Sequence, residues 1–108
     1  MYIETRNNLI DMISLLTQDE QYHWAKFFEV ALQLYDENNF IECARKIKSG
    51  SGGMGSLNDL VLGQGNNTEG KFQWKAGYKE INHRYGFLLN ELYDFSNTII
   101  KNLAKKTL

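Results

Sequence analysis

Apolar residues recur at helical spacing in three segments near the start of the chain. In the first, Leu9, Met12 and Leu16 follow the i, i+3, i+7 order of one helix face. The second segment, residues 20–36, keeps this order with an aromatic-rich face, and the third, residues 39–49, continues it more weakly. Short polar breaks separate the segments, which is typical of antiparallel helices joined by tight turns. Residues 1–49 are therefore predicted to form three amphipathic helices.

The longest helical pattern closes the chain. Over residues 78–106, apolar side chains such as Ile81, Leu88 and Leu92 follow one helix face for many turns. No segment shows the sustained period-2 alternation of a half-buried strand. We therefore expect an all-α fold, in which residues 1–108 form a single small domain of about four to five helices. A glycine-rich irregular segment, residues 50–77, would precede the long C-terminal helix.

The middle of the chain has a different texture, because seven of the nine glycines fall within residues 50–70. Glycine permits positive φ and close backbone approach, so this segment should turn tightly. Residues 57–62 predict a short helical turn, although a brief buried strand has the same apolar pattern. Residues 63–71 are expected to form a mobile surface loop. A tight structural corner is favoured over a rigid recognition loop for the segment Gly52, Gly53, Met54, Gly55, Ser56, Asn58 and Asp59.

Composition places the chain in the globular class, with 43% hydrophobic and 13% aromatic residues. A length of 108 residues fits one domain. The single cysteine, Cys43, excludes an intramolecular disulfide and suits a reducing compartment. No apolar run reaches the roughly 18 residues of a membrane helix, and the first residues do not resemble a signal peptide. The expected location is the cytoplasm, with no membrane partner.

Motifs that resemble catalytic or phosphate-binding sites lack their required context. Residues 50–55 match G-x-G-x-x-G, but no strand precedes them and no parallel sheet is predicted. Residues 65–71 have the spacing of a phosphate loop, but Phe72 stands where a Ser or Thr should reach magnesium. Cys43, His23 and His83 show no metal-ligand spacing. We therefore expect no enzymatic activity, no cofactor, no metal and no small-molecule ligand.

The net charge of −1 hides an uneven distribution. Residues 1–40 contain seven acidic and two basic residues, a net of −5, and residues 41–108 contain six acidic and ten basic residues, a net of +4. Such asymmetry can indicate an electrostatic partner. The basic half contains Arg45, Lys46 and Lys48, followed by Lys71, Lys75 and Lys79 interleaved with Phe72, Trp74 and Tyr78. This pattern supports the alternative of a nucleic-acid-binding or regulatory module, although a pI near 6.1 makes nucleic acid a weaker candidate.

Two motifs carry a family resemblance. His23-Trp24-Ala25 opens the second predicted helix, and residues 52–60 read Gly-Gly-Met-Gly-Ser-Leu-Asn-Asp-Leu. Over roughly residues 5–62 the sequence resembles a small bacterial family of uncharacterised domains with a Gly-Gly-Met-Gly-Ser-(Leu/Phe)-Asn-Asp-Leu motif. The resemblance implies a relation to immunity proteins of polymorphic toxin systems, including contact-dependent growth inhibition. It implies no enzymatic activity.

These observations predict an immunity protein that binds a cognate toxin domain, a nuclease, and occludes its active site. Nuclease sites are basic because they bind phosphates, so an acidic helical surface would complement them and speed association. Tyrosine is favoured at interface hot spots and would supply aromatic anchors. The predicted partner-binding residues are Asp19, Glu20, Tyr22, Glu29, Tyr35, Asp36 and Glu37.

Overall fold

Four α-helices account for most of residues 3–52 and 55–107, which are the residues that the computed structural model describes. In chain order they are α1 (Ile3–Gln18), α2 (Tyr22–Asp36), α3 (Phe40–Ser49) and α4 (Tyr78–Thr107). A short 3-10 helix (Leu57–Asp59) and two strands, β1 (Gln64–Asn66) and β2 (Phe72–Trp74), lie between α3 and α4. The prediction of a mainly helical fold is confirmed. Within the described ranges, no helix has the length and apolar character needed to cross a membrane.

Each helix packs against two others, so that α1 contacts α2 and α4, and α3 contacts the same two helices. The buried faces follow the helical spacing in the sequence, because only residues three or four apart share a face. Burial of these faces supplies the main stabilising free energy of the fold. The fully or almost fully buried apolar residues of the helices include Leu9, Met12 and Leu16 of α1, Ala25, Phe28 and Ala31 of α2, Cys43, Ala44 and Ile47 of α3, and Leu88 and Leu92 of α4.

The first two helices end in the same type of turn. Glu20 and Asn38 each have φ of 61°, and they follow α1 and α2 respectively. The N–H of Gln21 donates to the carbonyl of Leu16 at 2.8 Å, and the equivalent bond after α2 joins Asn39 to Leu34 at 2.9 Å. These bonds satisfy terminal helix carbonyls, as in a Schellman motif. They also reverse the chain sharply, which places α1 and α2 side by side.

Between α3 and α4 the structure agrees with one prediction and differs from another. The helical turn predicted for residues 57–62 is present over Leu57–Asp59 as a 3-10 helix, and residues 60–62 are neither helix nor strand. Residues 63–71, expected as a surface loop, instead contribute β1 and the turn of a β-hairpin. In this hairpin Gln64 pairs with Trp74 and Asn66 pairs with Phe72, antiparallel. The turn closes because Oδ1 of Asn67 accepts hydrogen bonds from the N–H groups of Glu69 and Lys71, at 2.9 and 3.1 Å.

Candidate functional site

Asp19, one of the predicted partner-binding residues, lies in the turn between α1 and α2 with its side chain buried. Its Oδ1 accepts a hydrogen bond from the N–H of Gly63 at 2.9 Å, and its Oδ2 accepts one from Nε2 of Gln21 at 3.1 Å. Nζ of Lys75 lies 3.5 Å from Oδ1, and the Asp19 side chain is only 5% exposed. A carboxylate satisfied internally in this way is not available to a partner. Asp19 therefore fastens the hairpin to the α1–α2 turn instead of contributing to an exposed surface.

Two predicted residues at the far end of α2 are also engaged within the protein. The half-buried ring of Tyr35 lies 4.9 Å from the ring of Phe40 and 6.1 Å from that of Phe95. Asp36 is exposed, but both of its oxygens accept hydrogen bonds from the guanidinium of Arg6, at 2.8 and 3.2 Å. These bonds hold the pKa of the Asp36 carboxyl below its ordinary value. Tyr35 is thus a packing residue, and the charge of Asp36 is neutralised locally.

The other four predicted residues are exposed. Tyr22 is 58% exposed at the start of α2. Glu20 precedes this helix, Glu29 lies in its middle and Glu37 follows its end. Within residues 3–52 and 55–107, none of these three carboxylates takes part in a salt bridge. The 15 residues of α2 span about 22 Å, so the carboxylates, which lie before, within and after the helix, do not converge on one point. The exposed Lys26 lies three residues before Glu29 on the same side of α2.

The glycine-rich motif forms a packing corner. A Cβ added at Gly50 would lie 2.5 Å from Cδ1 of Leu57 and 3.0 Å from Cζ of Phe27, so a larger residue there would have to displace these side chains. Leu57 is fully buried, and its N–H donates to the carbonyl of Gly50 at 2.9 Å. Ser56 is buried too, and its Oγ has no hydrogen-bond partner within the described residues. The corner therefore inserts Leu57 into the core.

Two tyrosines of α4 hold this corner in place. The hydroxyl of Tyr85 donates to the carbonyl of Leu57 at 2.7 Å, and the hydroxyl of Tyr93 donates to Oδ1 of Asn58 at 3.1 Å. Burial raises the pKa of both tyrosines. The remaining motif residues Gly52, Gly55 and Asp59 are exposed, and Gly53 and Met54 lie outside the described residues. These contacts agree with the interpretation of the motif as a structural corner.

An exposed aromatic array on the hairpin is the main surface feature that the predicted site does not include. Phe72 is 55% exposed and Trp74 is 40% exposed. Their ring centroids lie 5.0 Å apart, edge to face, and the ring of Trp74 stacks on that of Tyr78 at 4.5 Å. The sequence pattern linked these rings only to the nucleic-acid alternative. The two-residue spacing of Phe72 and Trp74 was the available signal, because it places both side chains on one face of a strand.

Three contacts seat this hairpin on the helices. The side-chain amide of Asn82 on α4 accepts from the N–H of Leu62 and donates to its carbonyl, both at 2.8 Å. Gly63 donates to Asp19, and its carbonyl accepts from the N–H of Lys75 at 2.8 Å. A Cβ at Gly63 would lie 2.5 Å from Cβ of Tyr78, so the backbone there packs directly against α4. The hairpin is therefore held firmly at its base while its aromatic residues face outwards.

A groove of about 540 Å3 lies where the hairpin meets the α1–α2 turn. Trp74 lines it on the hairpin side and Glu20 lines it on the turn side. Gln64, Gly65, Asn66, Gln73, Lys75 and Ala76 of the hairpin complete its lining. The groove therefore joins one predicted residue, Glu20, to the aromatic hairpin.

Most of the cations considered for nucleic-acid binding have partners within the protein. Nζ of Lys46 lies 4.6 Å from the ring centre of Phe27. Nζ of Lys48 lies 5.4 Å from that of Tyr93. Cations placed over aromatic rings cover apolar surface and are less available to phosphates. The ion-paired cations of the basic half include Arg45 with Glu42 at 2.7 Å, Lys71 with Glu69 at 4.0 Å and Arg84 with Asp11 at 3.2 Å.

A second acidic surface lies between α1 and α4. Glu4 lines a groove of about 200 Å3 there together with Glu91 and Asp94. Sequence reasoning missed this surface because about 90 residues separate Glu4 from the two acidic residues on α4. Within the described ranges, no group of three or more His, Cys, Asp and Glu side chains has the arrangement of a metal site.

Cys43 is fully buried on α3. Burial raises the pKa of its thiol to about 12, so it is protonated at neutral pH. A protonated, buried thiol behaves as a small apolar side chain.

His23 and His83 are both exposed, and the ring of His23 lies 5.1 Å from that of Trp24.

The fold and this geometry define a small, mainly helical domain with an exposed aromatic hairpin seated on its helices. Residues 17–71, about half of the chain, match the model of a family described as Domain of unknown function (DUF6966). The chain therefore belongs to this family. The match extends from the end of α1, through α2, α3 and the glycine corner, to the turn of the hairpin. No curated protein and no solved structure matches the chain.

Proposed function

We propose that this protein is an immunity protein that binds and neutralises a cognate bacterial toxin domain in the cytoplasm. The toxin domain is a nuclease, and the immunity protein occludes its active site. The motif Gly-Gly-Met-Gly-Ser-Leu-Asn-Asp-Leu resembles that of a family related to immunity proteins, and this resemblance is part of the proposal. The observation that supports it is the exposure of Glu20, Glu29 and Glu37, before, within and after α2, without internal ion pairs among the described residues.

Electrostatics explains how these carboxylates would act. Acidic carboxylates spread over about 22 Å imitate the spaced phosphates of a nucleic acid, which a nuclease attracts with basic side chains. Complementary charge raises the association rate more than it raises the affinity. Tyr22, 58% exposed at the start of α2, supplies apolar contact area that charge alone does not give.

The proposal places the cognate toxin domain in the gene directly upstream, and it is tested with that domain in purified form. One equivalent of the protein should abolish its nuclease activity, and the pair should elute as one complex. A Glu29→Lys and Glu37→Lys double variant should associate roughly tenfold more slowly at low salt, and the difference should shrink as salt screens the charges.

The matched control reverses two charges elsewhere. Glu4→Lys with Asp94→Lys changes the net charge equally but lies in the groove between α1 and α4. We expect a much smaller change in association rate for this control. Equal slowing by both double variants would show that only the net charge matters, and an unaffected nuclease would refute the proposed function.

A further inference from the structure

The outer edge of β2 presents main-chain groups that are not used by the hairpin. The N–H of Lys75 donates to the carbonyl of Gly63, and hydrogen-bonded pairs alternate with non-bonded pairs along an antiparallel ladder. In this register the N–H and C=O groups of Phe72 and Trp74 point away from β1. Within residues 3–52 and 55–107, no helix packs along either strand. The edge of β2 is therefore open to a further strand.

The side chains of β2 divide into an aromatic face and a polar, basic face. Residues two apart share one face of a strand, so the rings of Phe72 and Trp74 lie together and Lys71, Gln73 and Lys75 lie on the opposite face. The two rings are 55% and 40% exposed. An exposed strand edge with apolar side chains is a template for pairing with another strand, and a third strand stabilises a two-stranded sheet.

The lysines disfavour a second copy of this chain as the added strand. Antiparallel pairing of β2 with another β2 over its full length would place Lys71 opposite Lys75 of the second copy at both ends of the pairing. Like charges directly opposite each other destabilise a strand pair. Lysine on an edge strand is also a common means of preventing self-association.

Charge instead favours a strand that brings a carboxylate to Lys71. Nζ of Lys71 lies 4.0 Å from Glu69, and these two side chains are 78% and 73% exposed. A surface pair of this kind contributes little free energy, so Lys71 can pair with another carboxylate. Lys75 lies 3.5 Å from the buried Asp19, so the acidic residue of the added strand belongs at the Lys71 end.

We infer that the edge of β2 binds an extended segment of a partner protein in which apolar residues alternate with polar ones. Two apolar side chains of this segment lie opposite Phe72 and Trp74, and an acidic side chain lies opposite Lys71. The main chain of the segment supplies the hydrogen bonds, as in other cases of strand addition. Antiparallel addition is favoured because it is the more stable pairing. The inference goes beyond the proposed function and does not depend on it.

Single-stranded nucleic acid is the competing occupant, because exposed aromatic rings can stack on bases. The ring of Trp74 stacks on Tyr78 at 4.5 Å and meets Phe72 edge to face at 5.0 Å, which reduces the ring surface open to a base. A nucleic acid also lacks the alternating N–H and C=O groups that match a strand edge.

The test is an NMR titration of the isotope-labelled full chain with a capped peptide whose core reads Thr-Val-Thr-Val-Glu. In antiparallel register its valines lie opposite Trp74 and Phe72, and its glutamate lies opposite Lys71. The N–H and C=O groups of Phe72 and Trp74 would support a dissociation constant on the order of 1 mM. The amide shifts should change in β1 and β2 and remain constant in the helices.

Two control peptides separate strand addition from general stickiness. One has the same residues in the order Thr-Thr-Val-Val-Glu, which breaks the alternation. The other carries N-methyl groups on both valines, which removes the donors to β2. Each should bind about tenfold more weakly or not at all. These controls use the wild-type protein, so they do not depend on the folding of a variant.

Two matched pairs of variants test the side chains. Phe72→Ala is compared with Phe87→Ala, because both rings are 55% exposed. Lys71→Glu is compared with Lys26→Glu, which changes the net charge equally on the exposed surface of α2. Phe72→Ala and Lys71→Glu should weaken binding about threefold to fivefold. The other two variants should bind like the wild-type protein, because they lie away from β2.

Three results would overturn the inference. Unchanged hairpin shifts at millimolar peptide, or equal affinity for the control peptides, would show that β2 does not accept a strand. Hairpin shifts that depend on protein concentration without peptide would identify a second copy as the occupant. Shifts of Phe72 and Trp74 with a short oligodeoxythymidylate, and none with the peptide, would identify single-stranded nucleic acid.

Discussion

Replacement of two hairpin glycines by alanine tests how firmly the hairpin is seated. Gly63 and Gly70 have nearly the same φ, +81° and +80°. A Cβ at Gly70 meets nothing within 4 Å, whereas one at Gly63 lies 2.5 Å from Cβ and 3.1 Å from Cα of Tyr78. The two substitutions therefore have the same free-energy cost of a left-handed backbone, and only Gly63→Ala adds a steric clash with Tyr78.

The magnitudes follow from these two costs. A left-handed conformation costs an L-residue roughly 1–2 kcal/mol, so Gly70→Ala should lose about that much free energy of unfolding. Gly63→Ala should lose an additional 1–3 kcal/mol, roughly the cost of overpacking, because the atoms it meets belong to the start of α4 and cannot rotate away. A loss of 2 kcal/mol or more would lower the melting temperature by roughly 10 °C in a chain of this size.

The assay is urea unfolding followed by far-UV circular dichroism, with amide hydrogen exchange of Lys75 as the local measurement. The N–H of Lys75 donates to Gly63 at 2.8 Å, so it should lose protection selectively in Gly63→Ala. Equal losses of unfolding free energy in the two variants would refute the reasoning. They would mean that the hairpin moves away from α4 at little cost, and that its base is not firmly held.

Three further predictions follow from individual residues. Tyr85→Phe leaves the buried carbonyl of Leu57 without its donor and should lower the unfolding free energy by roughly 1–3 kcal/mol in urea titrations, whereas an unchanged value would make the bond dispensable. Cys43 has its pKa raised from 9.0 to about 12, so its contribution to stability is intact below pH 9 and is lost between pH 9 and 12 as the unfolded thiol ionises. Urea titrations should show that the unfolding free energy of Cys43→Ala declines less steeply over that pH range than that of the wild-type protein. Identical pH dependence in the two proteins would contradict the burial of the thiol. Glu20 has φ of 61°, which costs a glutamate more free energy than a glycine, so Glu20→Gly should raise the unfolding free energy by roughly 0.5–1 kcal/mol while weakening toxin binding. A lower unfolding free energy would show that the backbone at Glu20 is not strained.

The helices could be predicted because each buries a face that repeats over several turns. Leu9, Met12 and Leu16 lie on one such face, and their burial requires only the local periodicity. The hairpin could not be predicted in the same way, since its strands are three residues long and β1 contains no apolar side chain. It is specified by the turn at Asn67 and by contacts to distant helices, which no short window of sequence contains.

The predicted binding surface shows the same limit. A residue's exposure depends on partners that are far away in sequence, and Asp19 is buried because Gly63, 44 residues later, donates to it. The carboxylate of Asp36 is ion-paired with Arg6, 30 residues earlier. Glu20, Glu29 and Glu37 have no such partners within the described residues, so for these three acidic residues the binding role predicted from charge stays a prediction.

The most direct test is the survival of bacteria that express the proposed cognate toxin domain with and without this protein. We expect the wild-type chain to restore full growth and the Glu29→Lys and Glu37→Lys double variant to protect less, at equal expression levels. Cells that die regardless of the wild-type protein would contradict the central claim.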